Sequence, residues 1–286
     1  MLKPPPNVTI LADGLPHPEG VAFDREGGIY TGIARPDHVG YGPLMHLDPD
    51  GGNPRVVADT GGRILGIATD QANCAYVCDS HLGAVFRVTP SGNITLVTDG
   101  TAAHRMLMPN FCVFDPDGVL YISDSGTATA GERTGAVLRH TPDGRTDVLV
   151  DRLTFANGLA HDPVTNGLYV VETRDDRVLR LDLDRSDSGP EVYVDGLEHG
   201  PDGLALDANG VLHITLTRTH TIVEATDRHV AEVVCDPEGQ WLNMPSNLAF
   251  RPDGSREAVV ANLFGDHLTT IGTRAGGGRP TQGAAT

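Results

Sequence analysis

Five oxygen-bearing side chains occupy the same position of a repeated phrase, and together they could hold a divalent cation. The position recurs every 45 to 47 residues, and its six occupants, called the axial ring below, are Glu19, Leu65, Asn110, Asn157, Asp202 and Asn247. Carboxylate and amide oxygens are the ligands that hard cations such as Ca²⁺, Mg²⁺ and Mn²⁺ prefer. Two carboxylates offset the charge of such an ion, whereas two unpaired carboxylates that face each other repel. The pattern therefore favours a metal site, provided that the fold brings these side chains together.

A structural interpretation of the same residues stays open. Asn and Asp often begin strands and cap turns, because their side chains hydrogen-bond to nearby backbone groups. This explains any single position of the ring. It explains less well why both acids, Glu19 and Asp202, share one register. We therefore favour the metal site.

The phrases that carry the ring predict the innermost strands of a repeat. Each alternates small and apolar residues and ends in Asp, except the last; they are Glu19–Asp24, Leu65–Asp70, Asn110–Asp115, Asn157–Asp162, Asp202–Asp207 and Asn247–Arg251. A turn follows, often with an Asp-Gly or Asn-Gly pair that supplies the positive φ of a tight hairpin. A second strand of β-branched and aromatic residues comes next, and most units add a third and a fourth. Each unit is therefore a four-stranded antiparallel meander.

Six such meanders predict an all-β fold, a six-bladed β-propeller. The last unit lacks an outer strand, and the strand-like segment Asn7–Leu11 precedes the first phrase. We predict that this N-terminal strand completes the last blade and closes the ring, which removes exposed sheet edges. The propeller is predicted as a single domain over residues 1–272, followed by a low-complexity, disordered tail over residues 273–286. The axial ring should then converge at the mouth of the central channel.

Composition and charge exclude several classes of partner. The net charge of −17 argues against nucleic-acid binding, which depends on clustered Lys and Arg. There is no apolar run long enough to span a membrane, and the segment Met1–Pro6 lacks the apolar core of a secretory signal. We expect no membrane association, a cytoplasmic location, a small-molecule substrate, and a monomer or small homo-oligomer.

The chain resembles the SMP-30/gluconolactonase/LRE family, which includes regucalcin, over about residues 7–272. The motifs most specific to that family are Pro18-Glu19-Gly20, Ala156-Asn157-Gly158 and Pro201-Asp202-Gly203. The resemblance implies one divalent metal, held by Glu19, Asn157 and Asp202. Ca²⁺ is the expected ion, with Zn²⁺, Mn²⁺ and Mg²⁺ as alternatives.

The same resemblance implies a metal-dependent hydrolase of a cyclic ester, a gluconolactonase-like lactonase. Asp202 would be both a metal ligand and the catalytic base that takes the proton of the attacking water, whereas Glu19 would be a ligand only. Asn110 would contact substrate or metal-bound water, and its amide N–H would be a donor to the developing oxyanion. Asn247 is a candidate further ligand.

Two residues depart from the family pattern, and two more are candidates for lining the site. Sugar-lactonase members carry an Arg two residues before the position of Asn110; here that residue is Met108, which predicts a less polar substrate pocket. Leu65 is the apolar member of the axial ring and likewise predicts a less polar substrate pocket. His104 lies in a loop that leads into an inner strand, where a plain surface histidine is the alternative. Glu172 stands at the end of the second strand of the fourth unit.

Two other functions remain open on the sequence. One is a non-hydrolytic reaction on the same scaffold by a cyclase, an isomerase or a condensing enzyme of specialised metabolism, because fold does not fix reaction. The other is a non-catalytic binding propeller of the NHL type, whose repeats read similarly. Such a binder has no need for Glu19, Asn157 and Asp202 in one register. A serine hydrolase is disfavoured because no Gly-x-Ser-x-Gly motif occurs.

Overall fold

The computed structural model describes residues 3–34, 41–127, 129, 131–185, 188–226 and 229–277. Its strands form six sheets of four antiparallel strands each; five sheets are continuous meanders, and the sixth takes its outer strand from the N-terminus. The predicted six-bladed β-propeller is therefore confirmed.

The strands follow the repeat blade by blade. The N-terminal strand and blades one to three are β1 (Val8–Asp13); β2 (Val21–Phe23), β3 (Ile29–Gly32), β4 (Leu44–Leu47) and β5 (Arg55–Ala58); β6 (Ile64–Thr69), β7 (Ala75–Asp79), β8 (Ala84–Val88) and β9 (Ile94–Thr98); β10 (Pro109–Phe114), β11 (Leu120–Asp124), β12 (Gly135–His140) and β13 (Thr146–Leu153). Blades four to six are β14 (Ala156–Asp162), β15 (Gly167–Glu172), β16 (Arg177–Asp182) and β17 (Glu191–Val194); β18 (Pro201–Leu206), β19 (Leu212–Leu216), β20 (Thr221–Thr226) and β21 (His229–Cys235); β22 (Pro245–Phe250), β23 (Glu257–Asn262) and β24 (His267–Gly272).

The two ends of the chain close the ring in one sheet. Strand β1 pairs antiparallel with β24, from Val8 opposite Ile271 to Asp13 opposite His267, and so forms the outer strand of blade six. The predicted closure by the N-terminal strand is thus correct. Closure holds blade six against blade one and leaves the ring without a gap at the chain ends.

The core consists of apolar layers between neighbouring blades. Six buried clusters are found, and each joins two consecutive blades around the ring. Between blades four and five, for example, Tyr169 and Val171 pack against Leu204 and Ile214. This packing fixes each inner strand relative to the next, which is the requirement for a precise site at the axis.

Residues 273–277, which follow the last strand, lie against the propeller. Thr273 donates its backbone N–H to Arg256, and the carbonyl of Gly276 accepts from Ala208, both at 2.8 Å. Residues 278–286, the remainder of the predicted tail, lie outside the described residues. Within the described chain there is no helix of the length and apolarity needed to cross a bilayer.

Candidate metal centre at the propeller axis

The axial ring lies where the inner strands of the blades are irregular. In blades two to five the pairing of the first two strands shifts at the ring position; in blade four it passes from Ala156–Glu172 directly to Leu159–Val170. The ring residue therefore falls inside a β-bulge, where it is freed from the ladder. Bulges redirect side chains, and here the same device recurs around the channel.

Neighbouring members of the ring touch through their backbones. A Cβ on Gly158, directly after Asn157, would collide with the carbonyl oxygen of Asp202. Blade six is tied to blade one because Ser246 Oγ donates to the carbonyl of Glu19 at 3.1 Å. The motif glycines thus allow a close approach of the inner strands that any side chain would prevent.

Glu19 and Asp202 form the acidic part of the centre. Burial raises the pKa of the Glu19 carboxyl, and the nearby Arg63 partly offsets this. Burial and the charge of Glu19 hold the pKa of Asp202 well above its ordinary range, against the opposing effects of Asn157 and Arg63. The Glu19 side chain is 12% exposed, so protein surrounds it closely without sealing it from solvent. A divalent cation between these carboxyls would offset the charge of both.

Amides complete the set of donors. Asn157 Nδ2 donates to Thr173 Oγ1 at 3.0 Å, and the Asn157 side chain lies close enough to Asp202 to oppose the rise in its pKa. Asn110 Nδ2 donates to Ser125 Oγ at 3.1 Å, and Ser125 in turn donates to the carbonyl of Ala156. These bonds fix both amides from the protein side.

Two oxygens of the ring are buried without a hydrogen bond. Glu19 Oε2 and Asn247 Oδ1 have no hydrogen-bond partner among the described residues. A buried acceptor without a donor costs roughly 1–3 kcal/mol, and such groups in native proteins call for an explanation. A cation bound at the axis provides one.

The ring therefore fits a hard divalent cation by its chemistry. Glu19, Asn157 and Asp202 come together and would hold it, with Asn247 Oδ1 as a further oxygen. No cluster of three or more His, Cys, Asp or Glu side chains suited to a metal occurs in the part of the chain that the structure describes. The donors of the ring are two carboxylates and amides, a set typical of Ca²⁺ rather than of structural zinc.

Glu172 belongs to a different group of acids. Three fully buried carboxylates end the second strands of blades two, three and four, and we call them the anchor acids: Asp79, Asp124 and Glu172. Glu172 Oε1 accepts from the backbone and hydroxyl of Thr154, and Oε2 accepts from Arg177 Nε at 2.7 Å. Its oxygens are thus occupied by the scaffold, and its role is to position the loop before Asn157.

His104 and Met108 are engaged by another anchor acid. His104 Nε2 lies 3.0 Å from Asp124 Oδ2, and Met108 N donates to Asp124 Oδ1 at 2.7 Å. Asp124 therefore fixes the loop that leads to Asn110. His104 takes part in this support, and Met108 lies half-buried two residues before the ring.

Arg63 is the residue that the sequence analysis missed. Its Nη2 lies 3.7 Å from Glu19 Oε2. It stands two residues before Leu65, which is the same offset as Met108 before Asn110. A search for Arg at this offset in every blade, rather than in blade three alone, would have found it.

Comparisons with known proteins agree with the fold. The family model for the SMP-30/gluconolactonase/LRE-like region matches residues 39–251. A calcium-binding protein, regucalcin from Agrobacterium tumefaciens, superposes with a TM-score of 0.76 at 18% identity, over 95% of each chain.

Relatives by sequence carry different names. Diisopropyl-fluorophosphatase from Loligo vulgaris is 25% identical over 86% of each chain. Strictosidine synthase-like 4 from Arabidopsis thaliana is 29% identical over 71% of this chain and 57% of its own length. The chain spans about half the length of the plant relatives that it matches. Since the family model covers most of the propeller, the chain belongs to the SMP-30/gluconolactonase/LRE-like family.

Proposed function

We propose that this chain hydrolyses a lactone with the help of one divalent cation held by Glu19, Asn157 and Asp202. The observation that carries the proposal is that Asp202 lies close enough to Glu19 for that charge to raise its pKa, beside the buried Glu19 Oε2 and Asn247 Oδ1, which have no hydrogen-bond partner among the described residues. The family also includes gluconolactonases by name, which supports a cyclic ester as the substrate.

Calcium is the proposed ion. All of the ring donors are oxygens, and carboxylates with amide carbonyls suit a hard cation that accepts several oxygen ligands. The structural neighbour regucalcin is described as calcium-binding. Mn²⁺, Mg²⁺ and Zn²⁺ remain the ions to compare with it.

Each residue of the centre has a separate task. A bound divalent cation supplies positive charge that polarises a carbonyl and makes water more acidic. Asp202 accepts the proton of the attacking water. Asn110, held from behind by Ser125, orients its amide toward the oxyanion that develops on the substrate. Glu19 balances charge and does not move a proton.

A non-hydrolytic reaction is the second candidate. The plant relatives are named strictosidine synthase-like, and the chain covers about half of their length. Half-buried Met108 and buried Leu65 make part of the mouth apolar, which suits a less polar substrate. In this second candidate, the same centre catalyses a condensation or a cyclisation.

A panel of lactones decides between the two candidates. Five- and six-membered lactones with and without hydroxyl groups are assayed with the chelated chain and then with Ca²⁺, Mn²⁺, Mg²⁺ or Zn²⁺ restored. We expect hydrolysis that chelation abolishes and one of these ions restores. The Asp202→Asn variant should remain inactive with every ion.

The matched control is Asp124→Asn, which removes a buried carboxylate that contacts the scaffold and not the centre. It should keep measurable, metal-dependent turnover. Absence of lactone hydrolysis under all metal conditions would overturn the proposal and favour the second candidate.

A further inference from the structure

Arg63 brings a fixed positive charge to the mouth of the channel. Among the described residues, the Arg63 guanidinium forms an ion pair with a carboxylate of the axial ring: its Nη2 lies 3.7 Å from Glu19 Oε2. That separation is too long for a hydrogen bond. The side chain is 42% exposed, so part of the guanidinium is accessible to a molecule in solution.

The backbone of Arg63 is held firmly while its side chain is not. Its N–H donates to the anchor acid Asp79 at 3.2 Å, and its carbonyl accepts from Ser80 N at 2.9 Å. Thr60 Oγ1 holds the other oxygen of Asp79 at 2.6 Å. The guanidinium itself makes no hydrogen bond to any described residue. The backbone of Arg63 is thus fixed, and the contact of its guanidinium among the described residues is the ion pair with Glu19.

Two other arginines of the mouth loops are already engaged. Arg105 is paired with Asp99. Arg174 donates to the carbonyl of Thr129 at 2.6 Å and lies over the ring of Phe155, 4.8 Å from its centroid. Arg63 differs from both in that its contact is with a ring carboxylate that a cation would neutralise.

We propose that Arg63 recognises an anionic group of the substrate, so that the preferred substrates are lactones or esters that carry a carboxylate near the scissile carbonyl. This inference rests on the proposed function of the axial centre. When a divalent cation offsets the charge of Glu19, the guanidinium loses its attraction to that carboxylate and is repelled by the ion. A carboxylate on the substrate can then take the place of Glu19, and the planar fork of Arg suits it.

The charge of the whole chain makes a local cation necessary for such a substrate. The net charge of −17 disfavours the approach of anions, and Glu19 and Asp202 add negative charge at the axis itself. Arg63 lies close enough to oppose the raised pKa of both acids. It therefore provides the positive contact at the point where a substrate anion would meet the ring.

Binding of a carboxylate probe tests the inference without turnover. Glutarate and its neutral diamide are titrated by calorimetry into the metal-loaded wild type, Arg63→Met and Arg63→Lys, with Arg105→Met as the matched control. A hydrogen-bonded charge contact is worth roughly 1.5–3 kcal/mol, so Arg63→Met should weaken glutarate binding about 10- to 100-fold. Arg63→Lys should restore part of it, and Arg105→Met should bind as the wild type does.

Hydrolysis of a paired substrate gives the second readout. A γ-lactone with a ring carboxylate is compared with its uncharged carboxamide; Arg63→Met should lower kcat/KM for the charged lactone alone. Equal glutarate affinity in the wild type and Arg63→Met, or no glutarate binding at all, overturns the inference even if neutral lactones are hydrolysed. A wild type that binds glutarate through Arg63 but hydrolyses no lactone overturns the proposed function and leaves the anion site standing.

Discussion

The fully buried anchor acids and the partly buried acids of the axial ring differ in how many hydrogen bonds their carboxylates accept. The anchor acids each accept several hydrogen bonds from the loops and side chains around them; Asp124 alone accepts from Leu107, Met108, Gly126 and His104. In the axial ring, Glu19 Oε2 has no hydrogen-bond partner among the described residues, and the charge of Glu19 raises the pKa of Asp202. The carboxylates of the anchor acids are fully hydrogen-bonded without a ligand, whereas those of the axial ring are not.

The difference separates residues that build the site from residues that act in it. Both groups sit near the mouth of the channel and both are acids, so residue type and position do not distinguish them. The number of hydrogen bonds that each carboxylate accepts does distinguish them. An acid whose lone pairs are taken by backbone N–H groups has no capacity left for a metal, whereas an acid with unused lone pairs and a raised pKa does.

The largest effect is expected for Asp202→Asn. This variant keeps the shape of the side chain but removes the base and one of the two negative charges, so lactone hydrolysis should fall about 10²- to 10⁴-fold. Thermal stability of the chelated protein should stay equal or rise, because a buried repulsion is removed. Turnover assays and melting curves measured on the same preparations check both halves. Near-normal activity would place the base elsewhere.

Asp124→Asn should show the reverse pattern, with a clear loss of stability. An amide at this position places its N–H₂ group against backbone donors, and a buried charged hydrogen-bond network loses roughly 2–4 kcal/mol. Melting and urea unfolding measure the loss. Metal binding should stay within a few-fold of the wild type. A variant as stable as the wild type would mean that the anchor acids are not structural.

The dependence of stability on pH should differ between the chelated and the metal-loaded protein. The folded pKa values of Glu19 and Asp202 are raised, so their contribution to stability is present below the ordinary carboxyl range and is lost as pH rises through the raised values. Metal binding needs the deprotonated acids. The rise in Tm caused by Ca²⁺ should therefore be small at acid pH and should grow toward neutral pH.

Melting curves from pH 5 to pH 8, with Ca²⁺ or with chelator, measure this difference. In Asp202→Asn, the decline in stability of the chelated protein with rising pH should be flatter. A Ca²⁺ effect that is the same at all pH values would contradict the assignment of the two acids as ligands.

The smallest effect is expected for Asn247→Leu. The substitution removes a buried oxygen that has no hydrogen-bond partner, so stability should be unchanged or slightly higher. If Asn247 is a metal ligand, the affinity for Ca²⁺ should fall about tenfold, as titration with a fluorescent Ca²⁺ competitor would show. Unchanged affinity would limit the ligands to Glu19, Asn157 and Asp202.

The sequence predicts the fold well because the same strand pattern recurs six times along the chain. Regular spacing of the phrases determines the blades, and the strand-like segment before the first phrase correctly predicts that β1 joins β24. The ring position also follows from the register. What the sequence does not contain is the partner of each acid, because only the folded chain brings the partner and the carboxylate together.

Glu172 and Arg63 illustrate that limit. Glu172 was a candidate for the site by alignment within the repeat, yet its carboxylate contacts Thr154 and Arg177 of its own blade. Arg63 gave no signal in its own blade, where the ring residue is Leu65. It reaches the acid of a different blade, and only the folded chain brings the two within 3.7 Å.

The metal content of the purified chain tests the central claim most directly. The wild type, Asp202→Asn and Asp124→Asn are loaded with Ca²⁺, freed of excess by gel filtration, and measured by elemental analysis against protein concentration. About one ion per chain is predicted for the wild type and for Asp124→Asn, and none for Asp202→Asn. Equal metal content in Asp202→Asn and the wild type, or no bound ion in any of the three with Ca²⁺, Mn²⁺, Mg²⁺ or Zn²⁺, would contradict a metal centre at the axis.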